Sequence, residues 1–141
     1  MKIIYYTAIL ASLLTGSAMA ADGNSLTVHL NGLKNDQGNV RIGLYSDPAT
    51  FRKEAKAMLV RQIPARPGML EVVFTDLPPG TYAVMAYHDE DANGELNRRF
   101  GMFPTEGYGL SNNPKISGPP AFADSAFAVA GTTEITIDLR Y

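Results

Sequence analysis

Asp89, Asp91 and Asn93 fall at alternate positions, and Gly94 follows at once. Carboxylate and amide oxygens at this spacing are hard ligands that can turn toward one cation, because glycine permits the sharp bend. The pattern D-x-D-x-N-G is the first half of a calcium loop. The Glu95 carbonyl falls at the seventh position and Asn97 at the ninth. The bidentate carboxylate due at the twelfth is missing, since Phe100 stands there. A strand-like stretch, not a helix, precedes the motif. The motif predicts a turn first, and second a Ca2+ site on Asp89, Asp91, Asn93 and Glu95. Glu90, Glu95 or Glu106 offers a further carboxylate from outside the pattern. The competing reading needs no ion, because Asp and Asn beside Gly form Asx-turns that cap their own backbone.

Catalytic chemistry is thinly provided. His88 stands beside Asp89, and one reading makes a metal-dependent hydrolase of His88, Asp89, Asp91 and Glu106. The favoured reading has His88 hydrogen-bonded, pinning the strand end to the loop. His29 lies on the polar face of a strand, where plain solvent exposure is expected. With two histidines and no cysteine, a zinc or copper site needs carboxylates to complete it. Ser111 lies in Gly-Leu-Ser-Asn-Asn, which is no nucleophile elbow, and only His88 in this region can activate it. No phosphate-cradling Gly-rich loop opens a helix. Arg98-Arg99 either pairs with Asp91 or Glu106, or binds an anionic ligand; ion pairing is the simpler expectation.

Residues 88–113 carry Leu96, Phe100, Met102, Phe103, Tyr108 and Leu110. That is too apolar for a solvated linker, and a connection this long in a small domain is usually functional or disordered. The expected function is therefore a non-enzymatic binding or accessory module, with His88, Phe103, Glu106 and Tyr108 in the binding loop. The aromatics read equally well as a mini-core beneath that loop.

The elements that hold this loop are mostly strands. Leu26, Val28 and Leu30 alternate with polar residues, as do Val40, Ile42 and Leu44. With the turn Asn35–Gly38 between them they predict a hairpin. Asp47-Pro48 reads as a helix start, and Phe51, Ala55 and Met58 as one face of a short helix. Met58–Ile63 is extended, Pro64 and Pro67-Gly68 break the chain, and Leu70, Val72 and Phe74 mark another strand. Thr81–His88 is apolar on both faces, so it is central and covered on both sides. One cover is the opposite sheet; the other is the long loop or the short helix. Phe122 and Ser125–Val129 predict a strand, and Ile135, Ile137 and Leu139 a terminal one. The fold class is all-β: an immunoglobulin-like or transthyretin-like antiparallel sandwich of about seven strands, one short helix and one long ordered loop.

The first twenty of the 141 residues carry Lys2, an apolar run from Ile3 to Leu14, and Ala18-Met19-Ala20. These are the parts of a signal peptide cleaved after Ala20, predicting a periplasmic or secreted domain over 21–141. The apolar run is short for a membrane span. Beyond it stand 14 acidic and 11 basic residues, after Lys2 is removed from the 12. That balance gives no reason to propose nucleic acid or an anionic membrane surface. The expected partner is a protein or small molecule of the cell envelope. Without cysteine the domain relies on its core alone.

Leu77-Pro78-Pro79-Gly80-Thr81-Tyr82-Ala83-Val84, His88-Asp89, Asn93-Gly94 and Leu96 form one series of motifs. Gly101, Pro104, Glu106-Gly107-Tyr108-Gly109, Ser111-Asn112-Asn113 and Gly118-Pro119-Pro120 with Phe122 continue it. Together they resemble the bacterial DUF2141 family across essentially the whole exported chain. The resemblance implies export and a small β-sandwich, with no established activity, substrate or cofactor. Two departures stand out: members often carry Asp where this chain has Asn97, and a non-basic pair where it has Arg98-Arg99. A family metal site using that Asp would be weakened here.

Overall fold

The computed structural model describes residues 23–141. The expected signal peptide lies outside them. Alternating apolar residues give β1 (Asn24–Leu33), β2 (Asn39–Tyr45), β3 (Leu59–Pro64), β4 (Gly68–Leu77) and β5 (Gly80–Asp89). Three short strands follow, β6 (Arg98–Arg99), β7 (Phe103–Pro104) and β8 (Tyr108–Leu110). The helical turn α1 (Phe122–Ser125), β9 (Phe127–Val129) and β10 (Thr132–Asp138) complete the chain order. One sheet has the order β10-β1-β4, and the other β3-β2-β5-β8 with β9 on the start of β5. The β6–β7 ribbon stands apart from both.

The sandwich core follows from period-two alternation. Leu26, Val28 and Leu30 join Val40, Ile42, Leu44, Leu70, Phe74, Val84 and Ile137 in one buried cluster. The predicted β1–β2 hairpin does not form. β1 pairs with β4 and β10, and β2 with β3 and β5. Strands with one apolar face satisfy that pattern equally by pairing side by side or by facing each other across a core, and here they face. The sandwich is also not wholly antiparallel. β10 runs parallel to β1, which is open to a strand returning after a long connection.

The expected helix at 47–58 is absent too. Asp47 makes an Asx-turn and not a helix cap, its Oδ1 accepting the Ala49 amide at 2.8 Å. Arg52 then takes φ 67°, a left-handed value that ends any helix, and a single 3₁₀ turn, Glu54–Lys56, follows. Phe51 is buried while Ala55 and Met58 are exposed. Phe51 is drawn instead into a second core, packing edge-on against Tyr45 and Phe122. Among the described residues the one α-helical turn is α1, where the sequence reads as the start of a strand; extended chain begins only at Phe127.

β5 is buried from Tyr82 to Asp89. Tyr82, Val84 and Ala86 enter the sandwich core, while Ala83, Met85 and Tyr87 enter the second. Both proposed covers are used: Phe51 from the 47–58 segment, and Leu96 and Leu110 from the long loop. The loop is tied down at its far end. Tyr108 and Arg140 exchange two backbone hydrogen bonds, at 2.9 and 2.8 Å, which joins β8 to the end of β10 and closes that side of the sandwich. Asn113 adds its side chain, accepting from Asp138 N at 2.8 Å and donating to Thr136 O at 3.1 Å.

Candidate functional site

Alternation along β5 sends the last two side chains to opposite faces. Asp89 continues the outer row of Met85 and Tyr87; His88 continues the inner row of Val84 and Ala86. Asp89 is almost fully buried. Its Oδ1 accepts the Asn93 amide at 3.1 Å, and its Oδ2 the Gly94 amide at 2.8 Å. This wraps the chain into a tight turn, with Ala92 and Gly94 at positive φ.

Glu106, also buried, meets that turn from the returning chain. Its Oε1 accepts the Glu90 amide and its Oε2 the Asn97 amide, each at 3.1 Å. Oxygens of Asp89, Asp91 and Glu106 thereby lie within 4.8 Å of one another. The Asn97 side-chain amide stands between two of them, donating to Asp91 Oδ2 at 2.7 Å and to Glu106 Oε1 at 3.3 Å. That donation holds the Asp91 carboxyl below its ordinary range. Glu106 is pushed the other way, first by burial and then by the charges of Asp91 and Asp89.

The sequence-predicted metal set is therefore only partly assembled. Asp89 and Asp91 converge, and Glu106 completes the triad. Asn93 faces other partners, accepting from Glu95 N at 2.9 Å and donating to Asn97 Oδ1 at 2.6 Å. Glu95, expected to ligate through its backbone carbonyl, has an exposed side chain that brings no carboxylate to the triad. Asn97 is the residue that sequence reasoning undervalued: a ninth-position amide looks like a metal ligand until Glu106 arrives from nine residues away. Both Asx-turns of the ion-free reading are present, at Asp91 with Asn93 N (3.3 Å) and at Asn93 with Glu95 N (2.9 Å).

His88 is wholly buried, its Nε2 2.7 Å from Gln37 O and its Nδ1 2.7 Å from the Tyr141 hydroxyl. A carbonyl only accepts, so Nε2 carries a proton and donates it to Gln37 O. The imidazole thus pins the end of β5 to the β1–β2 turn and to the chain's last residue. Gly38 in that turn lies so close to the Asp89 carbonyl that a Cβ there would come within 1.9 Å. Neither Gln37 nor Tyr141 is near His88 in sequence, so nothing local marked them as its partners. Ser111 is likewise a joint, donating to Ser125 O and accepting from Val84 N at 2.9 Å in full burial. His29 is half-buried between Glu71 and Glu134, at 3.6 and 3.8 Å.

Beyond Asn97 the chain makes the β6–β7 ribbon. Met102 N donates to Arg99 O at 3.2 Å. The two residues between, Phe100 and Gly101, have φ 55° and 68°. Positive φ at both central positions is the signature of a type I′ turn, whose favoured residues are Asn-Gly. Phe100 is 82% exposed, Met102 66% and Phe103 61%. Arg98 and Arg99 form no ion pair among the described residues, against the expectation of pairing with Asp91 or Glu106. Of the expected binding-loop residues, Phe103 alone stands well exposed. Tyr108 is partly buried against the second core, and His88 and Glu106 are inside.

Next to the loop, Tyr87 OH lies 2.6 Å from Glu54 Oε2 and 3.1 Å from Gly94 O. Glu54 in turn accepts from Arg41 Nε at 2.8 Å. Burial and the Glu54 bond raise the Tyr87 phenol, and burial pushes Tyr45 up to about 12. These groups fasten the 47–58 segment and the long loop to the outer face of β2 and β5.

Fold and site together define an all-β sandwich module with one long, hydrogen-bonded loop. The chain belongs to the DUF2141 family, described as "Uncharacterized protein conserved in bacteria", which it matches over residues 28–137. Comparison with curated proteins and with solved structures gives no match. Among the described residues no helix is long and apolar enough to cross a membrane.

Proposed function

We propose that the protein is an exported, non-enzymatic module of the cell envelope that binds a partner through the tip of its β6–β7 ribbon. The observation that carries this is Phe100. A phenylalanine in left-handed backbone costs about 1–3 kcal/mol, and an exposed ring recovers none of it by packing. Asn or Gly would make the same turn without strain, so folding does not account for Phe100. Met102 and Phe103 extend the apolar tip. The non-enzymatic part is supported by His88, whose two ring nitrogens are engaged by Gln37 and Tyr141 on the face of β5 opposite Asp89. Export is supported by the leader-like first twenty residues.

The test uses the absence of cysteine. Met102→Cys and, on an exposed strand position, Glu134→Cys are expressed in the native host and labelled with a maleimide that reaches the periplasm. Engagement of the tip gives slow labelling at position 102 in intact cells and fast labelling in the purified protein, with no such difference at 134. Equal labelling at both positions in cells, or recovery of the protein in the cytoplasm, refutes the proposal.

A second reading concerns the base of the loop. The convergence of Asp89, Asp91 and Glu106 supports Ca2+ as a stabiliser there, with the Asn97 amide bridging two of the carboxylates otherwise. Ca2+ at a hundred times its Kd would stabilise the fold by about 2.7 kcal/mol. A melting series with EDTA, calcium, magnesium and zinc checks this, and a flat response to all of them ends it.

A further inference from the structure

We infer that the partner of the ribbon tip is an anionic lipid surface; this rests on the binding role proposed for the same tip. Three properties of the tip point there. The first is its shape and size. Phe100, Met102 and Phe103 are 82%, 66% and 61% exposed. Their joint exposed surface is roughly 400 Å², taking about 200 Å² for each large side chain. A stable protein interface needs about 800 Å² per partner, and a ribbon two residues long has no flat flank to supply the rest. Shallow insertion into a bilayer needs only a small apolar wedge.

The second property is charge. Arg98 and Arg99 directly precede the apolar tip, no carboxylate lies between 98 and 105, and neither arginine is ion-paired among the described residues. A guanidinium matches a lipid phosphate with paired N–H donors. The chain as a whole carries a formal charge of −2. An anionic surface therefore repels the chain's net charge while attracting these two cations. Net charge averages over the chain and conceals such a polarity.

The third property is support. The ribbon rises from a base in which Thr105 N donates to Asn97 O at 2.8 Å, beside the Glu106–Asn97 bond at 3.1 Å. The wedge is thus held in shape before it meets a membrane, and little ordering remains to oppose insertion. Phe100, Met102 and Phe103 belong to neither core, so changing them leaves the sandwich intact.

Co-sedimentation of the full chain with vesicles tests the inference. Vesicles contain either phosphatidylcholine alone or phosphatidylcholine with phosphatidylglycerol. Every variant shares one N-terminus, so differences between variants belong to the tip. Wild type should partition onto the phosphatidylglycerol vesicles in preference. Phe100→Ser/Phe103→Ser should lose about tenfold or more for each side chain withdrawn from the bilayer. Arg98→Gln/Arg99→Gln should lose about 25-fold, roughly fivefold per cation, and with it the preference for phosphatidylglycerol. An unchanged melting temperature shows that both variants remain folded. Equal partitioning of wild type and both variants overturns the inference. So does tip-dependent shielding at position 102 in cells without any retention on vesicles, which leaves the binding role standing with a protein as partner. Absence of both signals removes both.

Discussion

At the base of the 89–107 segment, each carboxylate oxygen of Asp89 and Glu106 accepts a backbone amide; at its tip, Phe100 combines left-handed backbone with an almost fully exposed ring. The two regions lie within a dozen residues of each other. The base has the properties that folding rewards: buried polar atoms in pairs, and apolar Leu96 turned into the second core. The tip has the opposite ones. The difference teaches where to look for function in a chain whose polar residues mostly serve structure. The carboxylates that look like chemistry in the sequence largely hold backbone, and the residue that looks like a misfit in a calcium loop has no structural employment.

Breaking the base should have the largest effect. Asp89→Ala leaves the Asn93 and Gly94 amides without their acceptor next to buried chain, and each such loss costs about 1–3 kcal/mol. A total loss of about 2–6 kcal/mol is expected in urea unfolding, with faster amide exchange over 90–97. A change within about 0.5 kcal/mol, the range of an ordinary surface substitution, would make the base as dispensable as the tip.

Phe100→Asn should act in the other direction and by less. It places Asn-Gly in a turn that prefers it, and should stabilise the fold by about 1 kcal/mol while abolishing shielding of the tip in cells. A gain in stability with loss of binding is the usual mark of a functional position. Destabilisation would show that the ring packs usefully after all.

The smallest effect sharpens the electrostatics of the base. Glu106 is raised in the folded state by burial and by its acidic neighbours. It therefore opposes folding above its unfolded pKa, and that opposition is removed as pH falls through the raised folded value. Asp91, lowered by the bond from Asn97, does the reverse: its contribution is present above the unfolded pKa and lost as pH falls through the folded one. Asp91→Asn removes one of the charges on Glu106. Carboxyl-carbon NMR titration should then show Glu106 moving down while staying above the ordinary range, because burial is the larger cause. An unmoved Glu106 would mean that the two groups do not sense each other.

Much of this was legible in the residues. Period-two alternation located β1, β2, β4, β5 and β10, and the doubly apolar run at 81–88 announced a strand covered on both faces. Asp47-Pro48 marks a turn and not the helix start it reads as, and Phe51 enters the second core. Tertiary structure also chose facing over pairing for β1 and β2, because one-sided alternation does not tell the two apart. The β6–β7 ribbon escaped notice because two-residue strands have no period to detect.

The sequence by itself determined which strand residues face the sandwich core and that the chain reverses at Asn93-Gly94, because strand alternation and turn chemistry are local properties of residue type. Only the tertiary structure decided which distant groups meet. It put His88 between Gln37 and Tyr141, brought Glu106 back to Asp89, and left Phe100 facing outward. Such meetings depend on how two sheets stack and where a loop returns, and spacing along the chain does not encode either.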